Sequence, residues 1–110
     1  MSVTASDNVI KQPSESILYT FNFTALLNSG ETLSSVTSLT EDVTSDLTIG
    51  TPTVNTAAVT VDGTTIAIGM AVQARVSGGT DNTDYRLECI CATSDSNTRE
   101  LDGILKVMDK

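Results

Sequence analysis

The chain has 110 residues, a formal net charge of −8, no histidine and only 4% aromatic residues. This length predicts one domain, and the negative charge argues against nucleic-acid binding, which needs clustered Lys and Arg to neutralise phosphates. The lack of histidine excludes the common catalytic triads, histidine general bases and most metal sites. Because aromatic residues are few, the core must come mainly from Val, Ile, Leu and Ala. The abundance of β-branched threonine favours strands over helices.

The first sixteen residues differ in character from the rest of the chain. Residues 1–16 are polar, contain Pro13 and show no hydrophobic period, so we expect an extended N-terminal arm before a single domain at residues 17–110. The chain has no apolar run of about 18 residues and no basic start followed by a hydrophobic stretch. We therefore expect neither a membrane span nor a secretory signal, and synthesis in the cytoplasm. A polar arm buries little surface alone, so we expect a partner or a neighbouring copy to hold it.

The first clear strand covers residues 17–24. One face carries Ile17, Tyr19, Phe21 and Phe23, and the other carries Leu18, Thr20, Asn22 and Thr24, which is the period of a strand with one buried face. The tripeptide 22–24 matches a glycosylation acceptor, but without a secretory signal we interpret it as accidental. This strand is expected to supply the largest part of the core.

An acidic stretch follows a second predicted strand at residues 31–38. Glu41, Asp42 and Asp46 lie among threonines. A calcium site would need about six oxygen ligands in a defined loop, and the spacing DxDxDG does not occur. We therefore predict a solvated loop.

The centre of the chain carries a strong hairpin signal. Asp62-Gly63 separates the β-branched runs at residues 54–61 and 64–68, and an Asp-Gly pair in this setting is typical of a tight β-hairpin. Gly69 and Met70 then interrupt the alternation and predict a bend or bulge.

Two further strands lie at residues 72–76 and 85–91, on either side of a polar loop. We expect them to pair antiparallel, because both alternate in period two and the loop between them is rich in Gly, Asn and Asp. The segment Ser77–Thr80 resembles a phosphate loop only superficially, since it lacks the lysine and the following helix. Tyr85 stands where a tyrosine can bond back across the corner of a sandwich, and simple core packing is the alternative.

The two cysteines are Cys89 and Cys91. Both point to one face of the same strand, with Cα atoms about 6.5 to 7 Å apart, which is at or beyond the limit for a disulfide. Zinc would need two more ligands, and the chain has no histidine and no other cysteine. We predict two buried free thiols, and the same count excludes a disulfide across the sandwich.

A last strand is predicted at residues 99–108. Together the segments give about seven to nine short strands separated by turns and no helical period, which indicates an all-β fold and a β-sandwich. The acids lie mostly in turns and on exposed strand faces, so no paired-carboxylate hydrolase site is expected. We predict no catalytic residues, no cofactor and no metal.

Several segments resemble the fibre-tail adaptor proteins of tailed bacteriophages. The resemblance covers residues 13–107 and rests on the acid-led aromatic strand at 15–24, on SGETL at 29–33, on VSGGTDNTDY at 76–85 and on the closing strand that starts Arg99-Glu100. It implies an immunoglobulin-like antiparallel β-sandwich in the virion, without catalytic residues. Phe23 stands where the family usually has tryptophan, and the segment 55–71 is longer than usual.

The function expected from this resemblance is structural. We expect an adaptor that joins fibres to the tail or neck, with other virion proteins as partners (tail, neck, fibre or major capsid protein) and with self-association into a homo-oligomer. A capsid decoration (cement) protein is one alternative. A carbohydrate-binding or adhesive module is another, but sugar binding usually recruits exposed aromatics, and all four here are assigned to interior faces.

Overall fold

The computed structural model describes residues 8–42 and 46–109, and this part of the chain contains ten strands, one short 3-10 helix and no α-helix. The 3-10 helix is Thr24–Leu26. The strands are β1 Asn8–Lys11, β2 Ile17–Asn22, β3 Leu33–Glu41, β4 Leu47–Ile49, β5 Thr53–Val54, β6 Val59–Val61, β7 Thr64–Ile66, β8 Ala71–Gly78, β9 Thr83–Thr93 and β10 Thr98–Val107.

Two sheets form the layers of the sandwich. The first sheet has the order β1-β10-β9-β3, and the second has the order β2-β8-β4, with β5 also paired to β8. All pairs in both sheets are antiparallel except β1 with β10, which run parallel. The prediction of an all-β fold is confirmed, and the two layers match the predicted β-sandwich. None of the helical structure in the described ranges is long and apolar enough to cross a membrane.

The core lies between the sheets and follows the period of two predicted from the sequence. Side chains that alternate along β2, β8, β9 and β10 point inward and are buried, as expected when one face of each strand meets the opposite sheet. The main cluster comprises Tyr19, Phe21, Phe23, Leu33, Leu47, Val72, Val76, Tyr85, Leu87, Cys89, Cys91, Leu105 and Val107. At about 25 cal/mol per Å² of apolar area, this cluster is the main source of stability.

One pairing predicted from the sequence is wrong. β8 and β9 do not form a hairpin, because β8 lies in the second sheet and β9 in the first, so the loop at residues 79–82 crosses from one layer to the other. Their apolar faces meet across the core instead of lying side by side. Alternation identifies the buried face of a strand but not its hydrogen-bonding neighbour, and the turn residues fit a crossover as well as a hairpin.

The hairpin at Asp62-Gly63 is confirmed. Both residues have positive φ, +49° and +79°, as a type I′ turn requires, and β6 pairs antiparallel with β7 as a separate two-stranded unit. The predicted bend is also present, since Gly69 has φ +77° and lies in a turn before β8. Ile66 is buried and anchors the hairpin to the body of the protein.

The segment ahead of β2 enters the first sheet through β1. Val9 and Lys11 lie level with Leu105 and Val107 of β10, on the face that points into the sandwich. The buried Lys11 ammonium donates hydrogen bonds to the carbonyl oxygens of Gln12 (2.7 Å) and Pro13 (3.2 Å). Burial lowers the pKa of Lys11, and the nearby Glu15 charge opposes this effect. Residues 1–7 of the expected arm lie outside the described residues.

Candidate functional site

A groove runs between the free edges of the two sheets, on the side opposite β1 and β2. One wall is β3 and the other is the segment 49–56, which contains β5 and the connection that leads into it. Its volume is about 770 Å³, and we call it the edge groove. It is lined by Ser34, Ser35, Val36, Thr37, Ser38, Leu39, Ile49, Gly50, Thr51, Pro52, Thr53, Val54 and Thr56.

The lining of the edge groove is uncharged although the chain carries a net charge of −8. Hydroxyl-bearing residues form the rim, while Val36, Leu39, Ile49 and Val54 pack against the core from the groove floor. Among the described residues, β3 is the last strand of its sheet, so no other described strand of that sheet pairs with its outer side. An unpaired edge beside apolar side chains has the chemistry to accept one more extended segment.

Two bulges interrupt the pairing of β3 with β9. The register shifts between Leu33 and Ser35 and again between Val36 and Ser38. Bulges bend and twist an edge strand, which limits uncontrolled pairing of sheets. Apolar and polar residues alternate only loosely in the strand predicted at residues 31–38, and the bulges explain why.

The Tyr85 hydroxyl holds the loop between β8 and β9. It accepts a hydrogen bond from the Thr80 backbone N–H (2.8 Å) and donates one to Oδ2 of Asp46 (2.9 Å). The ring itself is buried in the core. Of the two alternatives from the sequence, the corner bond is present, and core packing accompanies it.

The glycines of the SGGT segment serve packing. Gly79 has φ +100°, and a Cβ there would lie 2.8 Å from Cγ2 of Val107 and 3.2 Å from Cδ2 of Leu47. The close approach of loop and core therefore requires glycine. From the sequence we interpreted the whole segment as a turn, but its first two residues are the end of β8, where they pair with β4, and only Gly79 and Thr80 lie in the loop.

The acidic stretch after β3 bonds to the chain itself. Glu41 lies at the end of β3, and its carboxylate accepts the backbone N–H groups of Asp46 (3.1 Å) and Leu47 (2.9 Å). Asp46 accepts the tyrosine hydroxyl described above. Residues 43–45 lie outside the described residues, so only part of the predicted loop can be compared with the structure.

A second acidic group was not recognised in the sequence. Glu88 of β9 and Glu100 and Asp102 of β10 place carboxylate oxygens within 4.8 Å of one another on the outer face of the first sheet. Asp102 also pairs with Arg86. A hydrogen bond and charge repulsion from Asp102 raise the pKa of Glu100. The outward-facing alternation of both strands was predicted, but the contact depends on their register.

A buried carboxylate joins two loops at one end of the sandwich. Glu31 is fully buried and accepts the Asn28 backbone N–H (2.8 Å), the Asn97 side-chain amide (2.9 Å) and the Thr93 hydroxyl. These donors lower the pKa of Glu31 because they stabilise the charged form. Sequence reasoning missed this role, although the acid follows a turn signal at Ser29-Gly30.

The two cysteines are fully buried free thiols, as predicted. Their sulfur atoms are 3.8 Å apart on the inward face of β9. The sulfur contact with Cys91, together with burial, raises the pKa of the Cys89 thiol. The pair therefore behaves as small apolar residues that fill the core.

All four aromatic side chains are at most 2% exposed. Tyr19 and Phe21 pack with ring centroids 4.8 Å apart, and Phe23 and Tyr85 complete the set. None of them offers a ring face to a sugar, which is the usual platform for carbohydrate binding. The prediction that the aromatics face inward is confirmed.

Comparison with known proteins gives one clear relationship. The family model Gp77, described as "Podophage GP4 fiber-tail adaptor protein gp77", matches residues 11–106. No curated protein matches the chain. No solved structure matches it either. Because the family match spans nearly the whole chain, the chain belongs to the podophage fiber-tail adaptor family.

Proposed function

We propose that this chain joins fibres to the tail or neck of a phage virion as an immunoglobulin-like adaptor without catalytic activity. The observation that carries the proposal is the family match over residues 11–106. The family is described as fiber-tail adaptors, which supports a structural role in the virion. Other virion proteins are therefore the partners to be expected.

The strand order supports the immunoglobulin-like part of the proposal. In such sandwiches the strands C, F and G form one sheet, and B, E and D lie together in the other. Here β3, β9 and β10 occupy the places of C, F and G, while β2, β8 and β4 occupy those of B, E and D. The tyrosine near the start of β9, bonded back to Thr80, stands where the fold places its corner tyrosine.

Surface chemistry favours docking of proteins over the other candidate functions. The aromatics are buried, which disfavours the carbohydrate-binding alternative, and the net charge of −8 disfavours nucleic acid. The free strand edges offer backbone groups to a neighbouring protein. We propose that residues 17–110 form the body of the sandwich, that β1 of the preceding segment adds one strand to its first sheet, and that the rest of residues 1–16 ties it to a neighbour.

The test compares phage particles assembled with and without this chain. Loss of an adaptor should give complete heads and tails that lack fibres, whereas loss of a cement protein should give capsids of lower thermal stability with normal fibre content. Fibre protein per particle is measured by mass spectrometry, and a particle map locates the chain. Supplying the wild-type protein should restore the fibres. A normal fibre content in particles without the chain would refute the proposed role.

A further inference from the structure

The edge groove is built to hold an extended segment without charge. None of its thirteen lining residues is ionisable, so a charged side chain inside it would lose water without gaining an ion pair. A strand laid beside β3 would pair with its outer backbone edge and turn every second side chain toward the apolar floor. The occupant should therefore be uncharged and should alternate between small apolar and hydroxyl residues.

The first six residues of this chain have that composition. Met1, Val3 and Ala5 alternate with hydroxyl residues, and the charge of this stretch begins only at Asp7. Three small or flexible apolar side chains would face the floor of the groove, and serine and threonine would meet its rim. The pattern and the absence of side-chain charge both match the groove.

The same segment does not suit an extension of β1 along β10 in its own sheet. Asn8 lies opposite Ile104 in a parallel register, so continued pairing would place Asp7 opposite Gly103. Gly103 is buried on the inward-facing side of β10, and the Asp7 carboxylate would be turned toward the core between the sheets. An unpaired buried carboxylate is strongly unfavourable, so Asp7 disfavours continued pairing along β10.

The groove of the same molecule is also out of reach. β1 and β3 are the two outer strands of one sheet, with β10 and β9 between them, so about 14 Å separates them at about 4.8 Å per strand. Seven extended residues span at most about 25 Å, and crossing the sheet would leave only about three residues to pair with β3. A neighbouring molecule has no such restriction.

We propose that residues 1–6 of one copy occupy the edge groove of a second copy as an additional strand beside β3. The partner copy thereby contributes the side chains that cover Val36 and Leu39, and the site is incomplete without it. Exchange of this kind closes a reciprocal dimer or a ring, depending on the rotation between copies. This self-association goes beyond the adaptor role, and its test uses the isolated protein.

The first test mixes two variants that each carry one new cysteine. One chain has Thr4→Cys and the other has Thr37→Cys at an exposed position on the groove rim, and the native thiols are buried. Mild oxidation should give a disulfide between the two different chains. Asp95→Cys, at an exposed turn outside the groove lining, is the control and should give at least tenfold less product. A yield equal to that of the control refutes the proposal.

A third variant carries Thr4→Cys and Glu100→Cys in one chain. It tests whether residues 1–7 instead extend β1 along β10, because continued parallel pairing would place residues 4 and 100 opposite each other. An efficient bond within this single chain would overturn the proposal, and its absence supports it.

The second test measures molar mass by light scattering. Deletion of residues 2–7, or Thr37→Lys in the groove, should weaken self-association at least tenfold, while Asp95→Lys should leave it unchanged. Circular dichroism checks that every variant is folded. Wild-type protein that is monomeric at high concentration, or a deletion that leaves the mass unchanged, contradicts the proposal. In either case, attachment of fibres to the virion would remain a separate result.

Discussion

The hydroxyl of Tyr85 in the first sheet donates a 2.9 Å hydrogen bond to Oδ2 of Asp46, which immediately precedes β4 in the second sheet. The hydroxyl oxygen of Tyr85 also accepts a hydrogen bond from the backbone N–H of Thr80. One side chain therefore connects both layers and the loop that passes between them. We expect this link to hold the corner of the sandwich.

Tyr85→Phe should lower the free energy of unfolding by about 1–3 kcal/mol, because it leaves the Thr80 N–H without its acceptor and removes the bond to Asp46. Urea unfolding monitored by circular dichroism measures the change. Asp46→Ala should cost less, since it leaves the bond to Thr80 intact. A double-mutant cycle should give a coupling of about 0.5–1.5 kcal/mol between the two positions, and independent, additive effects would argue against the link.

Gly79→Ala should be more destabilising than Gly63→Ala. Both glycines have positive φ, but a Cβ at Gly79 meets Val107, Leu47 and Tyr85, whereas nothing lies within 4 Å of one at Gly63. We expect about 1–2 kcal/mol for Gly63→Ala from backbone strain alone, and about 2–4 kcal/mol for Gly79→Ala from strain plus the clash. Thermal unfolding of both variants provides the comparison. Equal losses would mean that the loop relaxes to remove the clash.

Asn55→Ala should detach the β6–β7 hairpin from the body of the protein. The Asn55 amide donates to the carbonyls of Ala57 (3.0 Å) and Ala67 (2.9 Å), and its oxygen accepts the N–H groups of Met70 and Ala71. We expect a loss of about 2–4 kcal/mol, with amide exchange accelerated first in the hairpin. Thr56→Ala, at the exposed neighbour, is the control. Unchanged exchange in the hairpin would contradict this role.

The stabilisation that Glu31 provides should be lost in acid. Its pKa is lowered in the folded state, so the stabilisation it provides is present above the unfolded pKa and is lost as the pH falls through the folded value. In Glu31→Gln, the urea midpoint should fall at pH 7 and should vary less between pH 5 and the acid range than in the wild type. Asp95→Asn, in the adjoining turn, is the matched control. An identical acid profile for Glu31→Gln and wild type would exclude this contribution.

Cys89 and Cys91 should resist alkylation in the folded protein. Both thiols are buried, and the raised pKa of Cys89 reduces its thiolate further. With iodoacetamide at pH 8, mass spectrometry should detect no label in the native protein and two labels in urea. Rapid labelling without denaturant would show that β9 opens locally.

Much of the fold could be predicted from residue pattern alone. The inward faces of β2 and β10 and the Asp62-Gly63 turn follow from local chemistry, because alternation and positive φ are properties of short segments. The neighbour of β9 could not be predicted in this way. That strand pairs with β3 and β10, and the period of two is the same whichever strand lies alongside.

The candidate site was less accessible to sequence reasoning. The edge groove joins residues of β3 to the segment 49–56, and only the relative placement of the two sheets brings them together. The Glu31 network likewise combines loops that are far apart in the chain. The burial of the four aromatics was predicted correctly. Tyr19, Phe21 and Tyr85 lie on the inward faces of strands, whereas Phe23 is buried just after β2 ends at Asn22.

The parallel pairing of β1 with β10 ties the earliest described strand to the latest. Translation proceeds at about 5–20 residues per second, and β9 and β10 are synthesised last. Until they emerge from the ribosome, β3 and β1 lack the strands with which they pair. The second sheet can assemble on the nascent chain once β8 has emerged, but the first sheet cannot. Closure of the sandwich is therefore a late event, and until then the unfinished half exposes strands that a chaperone or another nascent copy could capture.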